Sequence, residues 1–426
     1  MNEEILRQGI NMLINAVDPN DVFKAWIMMM NSDDRRAIVA LDSYERSVNP
    51  DGIRDIIMTP DSNFIPYFVS DRLFFIENEL IVEMFENSNK ETNIKIDYSI
   101  MLDTNYSSYI DNFVRNKNWA SMNNEQFKTI DLLIKGDFQY DYLFYMIENY
   151  KNSFKLNDLE DENTRRNKRT KLYQNLASLE LFKNIDKDEY IKKGVVKYEI
   201  SQTEAYILTD QIFNGIFNSC NIDEMMNMFE TLHKCMTLLL IGILKIRFDT
   251  RLSVQGKVHK LFEFTNNVLG IYYEREFIVA HKFFVKSTNV NILNKINKGM
   301  KPEKLFRLIE NMAWDFSVPR IMEYFLKSGG VGRFFVPFFL TNDFNLRQLL
   351  NMFKVKGVIF DKTGGLFIPF PDFNSTNYFE EHNCDIEMFF SDEAKEHRKR
   401  VYQANINNNF NNIKEEFEKL VDVLSM

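Results

Sequence analysis

The sequence predicts an α/β protein dominated by helices, with a parallel sheet flanked by helices and large all-helical additions around it. Three observations lead there. Only 15 Gly and 9 Pro punctuate 426 residues, which favours long helices over a turn-rich β architecture. Apolar residues recur at helical spacing through most of the chain. Two apolar runs break that pattern and each ends in a polar, acidic turn: Tyr98-Ser99-Ile100-Met101-Leu102 before Asp103-Thr104-Asn105, and Phe334 through Leu340 before Thr341-Asn342-Asp343.

In chain order, residues 1–90 read as a mostly helical N-terminal region, with Ile5, Ile10, Leu13 and Ile14 on one face. Asn49-Pro50-Asp51-Gly52 marks a turn, and residues 64–76 have the aromatic and β-branched content of short strands. The polar stretch 87–93 is the first boundary. Residues 94–102 form a strand, and Tyr109, Ile110, Phe113 and Val114 lie on the helix that follows. Residues 91–375 are expected to form the central domain, interrupted by a helical insertion over about residues 120–260. From 172 to 290 the pattern is helical throughout. Gly329-Gly330-Val331-Gly332 breaks a helix beginning near Val318. Residues 334–340 are a buried strand, 355–360 a second one, and Pro369 and Pro371 mark a loop. Residues 376–426 form a helical tail. Its apolar residues Ile406, Phe410, Ile413, Phe417, Leu420 and Leu424 make a short heptad seam, read as a terminal helix packed on the body in preference to a dimerising zipper.

Composition excludes several classes. A content of 45% hydrophobic residues with 39 Phe belongs to a folded chain, and a net charge of −9 argues against a protein that coats nucleic acid non-specifically. Three scattered cysteines (Cys220, Cys235, Cys384) make no disulfide framework or zinc pair, which fits a cytoplasmic protein. The five histidines show no metal-ligand spacing. The longest apolar run, residues 236–244, is far short of the roughly 20 residues a membrane span needs, and residues 1–16 lack a signal-peptide layout. The glycine-rich stretch 329–332 lacks the Lys-Ser/Thr of a phosphate-binding loop.

The acids carry the chemistry. Asp103 and Asp343 stand at strand ends and Asp315 on an intervening helix, and carboxylates that meet in space can hold divalent cations against a phosphodiester. Asp103 and Asp343 are each also explicable as a helix N-cap. Together they resemble the PIN-domain nucleases. In that family a first strand ends in an Asp-Thr-Asn-like turn, a helix supplies a Glu, a later helix an Asp, and a late strand ends in Thr/Ser-x-Asp. The resemblance covers residues near 94–115 and 305–350. It matches Asp103, Asp315 and Asp343 to the first, third and fourth acids, with Thr341 as the hydroxyl supporting the first and Thr104, Asn105 and Asn342 completing the turns. For the second acid the choice is Glu276, at the edge of an amphipathic helix over residues 268–286, ahead of Glu274 and with Glu204 in reserve.

What the resemblance implies is a PIN-like endoribonuclease using Mg²⁺ or Mn²⁺, acting on RNA in the cytoplasm without a membrane, in the manner of a toxin or phage-defence effector. It leaves room for an inhibitory or regulatory protein partner and for a homo-oligomer. The alternatives are a structure-specific DNA nuclease of the same fold and a non-enzymatic helical interaction module. The basic run Arg165, Arg166, Lys168, Arg169 and Lys171 follows the acids Asp158, Glu160, Asp161 and Glu162. It is either a solvated helix face or an RNA-contacting segment.

Overall fold

A computed structural model describes residues 3–29, 34–44, 62–86, 94–116, 123–136, 138–154, 162–217, 222–249, 251–286, 290–361, 363, 365–373 and 375–425. Helices α1 (Glu3–Ile14) and α2 (Pro19–Met29) precede β1 (Arg35–Ala40), β2 (Phe64–Pro66), β3 (Leu73–Glu77) and α3 (Asn78–Glu86). Strand β4 (Ile96–Leu102) leads into α4 (Thr104–Asn116), and α5 (Asn124–Lys135) leads to the two-residue strand β5 (Tyr140–Asp141) and α6 (Leu143–Phe154). Six helices follow: α7 (Glu162–Lys183), α8 (Lys187–Lys193), α9 (Gln202–Phe217), α10 (Ile222–Phe248), α11 (Val254–Phe264) and α12 (Glu274–Phe284). Helix α13 (Pro302–Ser328) then feeds β6 (Phe334–Leu340), α14 (Phe344–Asn351), β7 (Val355–Asp361) and β8 (Phe367–Pro371). The chain closes with α15 (Ser375–Glu381), α16 (Asp392–Asn407) and α17 (Asn412–Ser425).

Among the described residues the fold is helix-dominated α/β with two four-stranded sheets. One has the order β2-β6-β4-β5, in which β6-β4 and β4-β5 are parallel and β2-β6 antiparallel. The other, β3-β1-β7-β8, is antiparallel throughout. Alternation along the antiparallel sheet explains its two-sided burial. Ala37, Val39, Ile76, Ile359 and Phe370 pack with Leu13, Val22 and Trp26 of α1 and α2. Ile38, Phe75, Val358 and Phe360 join the main core, where Phe75 meets Phe334 of the mixed sheet.

Four expectations are corrected. The N-terminal region is less helical than expected: besides β2 and β3, which fall in the 64–76 stretch read as short strands, it holds β1, and β1 and β2 pair with strands more than 200 residues later, a match no local pattern reveals. The expected parallel sheet is mixed, because β2 lies antiparallel on its edge and β7 belongs to the other sheet. Pro369 and Pro371 lie not in a loop but in β8, an edge strand, where a missing N–H is tolerated. The helix before the glycine stretch begins at Pro302, well before Val318, and carries Pro319 inside it. The turn at 49–52, the boundary at 87–93 and the acids Asp158, Glu160 and Asp161 lie outside the described residues.

The tail packs on the body, but as two helices. Asn409 and Phe410, both at positive φ, break the heptad seam, and α17 then lies along α10 with Phe417 against Phe306 and Lys245 paired to Glu416. Among the described residues no helix is long and apolar enough to cross a membrane. Helix α16 docks on a π-helical turn (Thr265–Leu269), where Asn405 donates to the carbonyls of Val268 and Leu269 at 2.8 and 3.0 Å. Gly270 ends that turn at φ 83°, and a Cβ there would stand 2.3 Å from the Tyr402 backbone nitrogen. Gly270→Ala is therefore expected to cost roughly 3 kcal/mol, from positive-φ strain and forced separation of α16. Denaturant unfolding checks this, and an unchanged midpoint would mean the tail is not docked there.

Candidate active site

Register creates the site. Parallel pairing sets Leu102 opposite Leu340, so the residues after the two strands, Asp103 and Thr341, emerge side by side. The Thr341 hydroxyl donates to Asp103 Oδ2 at 2.6 Å, and the Asp103 amide donates to the Leu340 carbonyl at 3.2 Å. Asp103 Oδ1 accepts from the Tyr106 amide at 2.7 Å, capping α4, and Asn105 lies 3.5 Å from Oδ2. On the β6 side the Asp343 amide donates to Thr341 Oγ1 at 3.0 Å. Asp343 Oδ1 caps α14 through the amides of Asn345 and Leu346 at 2.7 and 3.1 Å. Asn342 lies between them, half-buried. Antiparallel β2 closes this corner: the Thr341 amide donates to the Asn63 carbonyl, and Asn63 also binds Tyr106 and Arg347.

Helices α13 and α6 bring two further acids to the same sheet edge. Asp315 is half-buried and neither accepts a hydrogen bond from nor pairs at contact distance with any described residue. Its helix carries Pro319 four residues on, so the Asp315 carbonyl also lacks its usual amide donor. Burial pushes the Asp315 carboxyl well above the ordinary carboxylate range. The charges of Asp343, Glu148 and Asp103 push the same way, and Lys295 opposes them. Glu148 of α6 accepts a hydrogen bond from the Thr104 hydroxyl, and Asn149 donates to that same hydroxyl at 3.2 Å. Burial raises Glu148, and the Thr104 hydrogen bond partly offsets this. Asp103, 6% exposed, is pushed up to about 7, first by burial and further by Glu148, against the hydrogen bonds from Thr341, Tyr106 and Asn105.

Asp103, Asp315 and Asp343 thus share one electrostatic environment, and Glu148 joins them. Among the described residues no group of three or more His, Cys, Asp or Glu side chains is placed so as to hold a metal ion. A fifth acid, Asp141 at the end of β5, is turned back to the Ser99 hydroxyl and caps α6 through Leu143.

The structure does not bring Glu276 to this group. That residue is 1% exposed on α12 and pairs with Arg320 at 3.2 Å in a buried network with Arg275, Glu323 and Tyr67, so its charge is already neutralised away from the other acids. Glu274 begins the same helix, and Glu204 caps α9 through the Ser201 amide at 2.7 Å. Glu148, which was not among the candidates read from the sequence, lies at this edge instead. Its signal was a helix directly after a short strand, with Phe144, Tyr145 and Ile147 buried around it.

Of the basic run, Arg166, Arg169 and Lys171 are exposed on α7 and Lys168 is half-buried; Arg165 lies in the same helix, its side chain outside the described residues. The glycine stretch sits at the opposite ends of the strands. There the amides of Val331 and Gly332 donate to Asp97 at 2.7 and 2.6 Å, so the protein's own carboxylate fills that anion-binding turn. No family model matches the chain, and no curated protein or solved structure is significantly similar to it.

Proposed function

We propose that this protein is a PIN-like, metal-dependent endoribonuclease in which Asp103, Glu148, Asp315 and Asp343 hold Mg²⁺ or Mn²⁺. The observation that carries the reading is Asp315. Helix capping accounts for Asp103 and Asp343, but not for an unpartnered carboxylate on a helix flank whose strongest neighbours are other carboxylates. Such an arrangement raises the energy of the metal-free protein, and a cation with oxygen ligands relieves it. The donors are all oxygens, without histidine or thiolate, which suits a hard divalent ion. When bound, that ion supplies Lewis acidity toward a phosphodiester and makes water a competent nucleophile near neutral pH.

The protein's own residues do the positioning. Thr341 fixes one oxygen of Asp103 and the amide of Asp343 together, so the two strand ends move as one unit. Thr104 and Asn149 hold Glu148 against α4. Burial at this edge excludes bulk water from Asp103 and strengthens every charge interaction made there. Cleavage of labelled RNA and DNA oligonucleotides by the purified protein tests the reading. Fragments from RNA are expected with millimolar Mn²⁺ and none in EDTA. DNA cleavage alone would move the assignment to a DNA nuclease, and cleavage of neither would return the chain to the non-enzymatic interaction module.

A further inference from the structure

Resting on the nuclease reading, a second stretch of the chain says how a substrate would approach. Between residues 295 and 307 stand five cations, Lys295, Lys298, Lys301, Lys304 and Arg307, against the single acid Glu303, in a chain of net charge −9. All five are exposed, and none makes an ion pair with a described residue. The chain is held beside α14 at two points before it reaches them. Lys282 donates to the Met352 carbonyl at the C-terminal end of α14, at 3.2 Å, and Asn291 donates to Gln348 one turn further up, at 3.1 Å. That direction leads toward the N-terminus of α14, where Asp343 is the cap. Lys295 is the cation whose charge reaches Asp315.

Helix α13 continues the line. At about 100° per residue Lys304 lies on the same face as Asp315, three turns earlier and about 16 Å away along the axis. Asn311 is exposed between them and Leu308 half-buried, so that face is open along its length.

We propose that Lys295, Lys298, Lys301 and Lys304 form a track that carries the phosphodiester backbone of a single-stranded polynucleotide to the carboxylates. Unpaired cations at steps of three residues, leading to an acidic site, suit a polyanion with one charge per repeat. They also offset the repulsion such a chain meets from Asp315 and its neighbours.

The test uses the full chain and labelled single-stranded RNA and DNA of one mixed sequence, with binding followed by anisotropy in EDTA across a KCl series. Replacing the four lysines with Gln is expected to weaken binding at least tenfold at low salt. The slope of log affinity against log salt should fall by about 0.7 for each lost phosphate contact. Lys304→Glu alone should act in the same direction, and replacing Arg166, Arg169 and Lys171 with Gln should change neither quantity. Unaltered melting temperatures and circular dichroism confine the effect to binding. Equal affinity and slope in the four-lysine variant, or no binding of either strand by the wild type, overturns the track. Binding that depends on the lysines without Mn²⁺-dependent cleavage keeps the track and removes the nuclease reading.

Discussion

Asp315→Asn, Asp343→Asn and Glu148→Gln are each expected to lower Mn²⁺-dependent cleavage by about a thousandfold or more, roughly 4 kcal/mol of transition-state stabilisation. The substitutions keep shape and remove charge, so they separate ligation from packing. Asp103→Asn should do the same, its single amide oxygen keeping the cap on the Tyr106 amide while the hydrogen bond from Thr341 to the second carboxylate oxygen is lost. Thr341→Val removes only the support of Asp103 and is expected to cost between ten- and a hundredfold. Glu276→Gln is the contrasting case. It leaves Arg320 with Glu323 alone in a buried network, so stability should fall by several kcal/mol while turnover per folded molecule is unchanged. Steady-state rates on protein quantified as folded, with unfolding curves alongside, measure both. Full activity in any two of the Asp103, Glu148, Asp315 and Asp343 variants would sink the site.

That contrast shows what was legible in the chain. Asp103, Thr341 and Asp343 could be read because each closes an uninterrupted apolar run, and a buried strand end must hand its chain to a polar turn. The register that puts Thr341 against Asp103 bridges 238 positions, and hydrophobicity alone could only suggest it. Strand β1 escaped because its neighbours β3 and β7 are distant in sequence and its six residues have no turn signal of their own. Glu276 was chosen from its place on an amphipathic helix. Its partner Arg320 lies 44 residues on, and only the folded chain reveals that the charge is matched. Glu148 had the weaker local pattern, beside aromatic residues on a short helix, yet its helix follows a strand that lies next to β4. The cations from 295 to 307 were overlooked for a simpler reason. Spaced three apart, they never form a run, whereas the denser cluster on α7 does.

The second large effect is on stability, and its sign follows from the raised carboxyls. Asp103 rises from its ordinary value of 3.8 to about 7, and Asp315 and Glu148 move the same way. A carboxyl raised on folding binds more protons in the native state than in the unfolded one. Its favourable contribution is therefore complete below the unfolded value and is lost as pH rises through the folded value. In EDTA the metal-free wild type should lose stability steadily between pH 4 and about 7. Asp315→Asn and Asp103→Asn each remove their own share of that loss, so both should melt above the wild type at pH 8, by about 2 °C or more, and close to it at pH 4. Millimolar Mn²⁺ reverses the order. An ion bound at a hundred times its dissociation constant adds about 2.7 kcal/mol to the wild type and little to a variant lacking a ligand. Because the acids must release protons to bind it, the Mn²⁺ shift should be small at pH 5.5 and grow toward pH 8. Melting curves over pH with and without Mn²⁺ read all three effects. A wild type whose melting temperature ignores Mn²⁺ at pH 8 would leave these four carboxylates at one sheet edge with no cation to gather them.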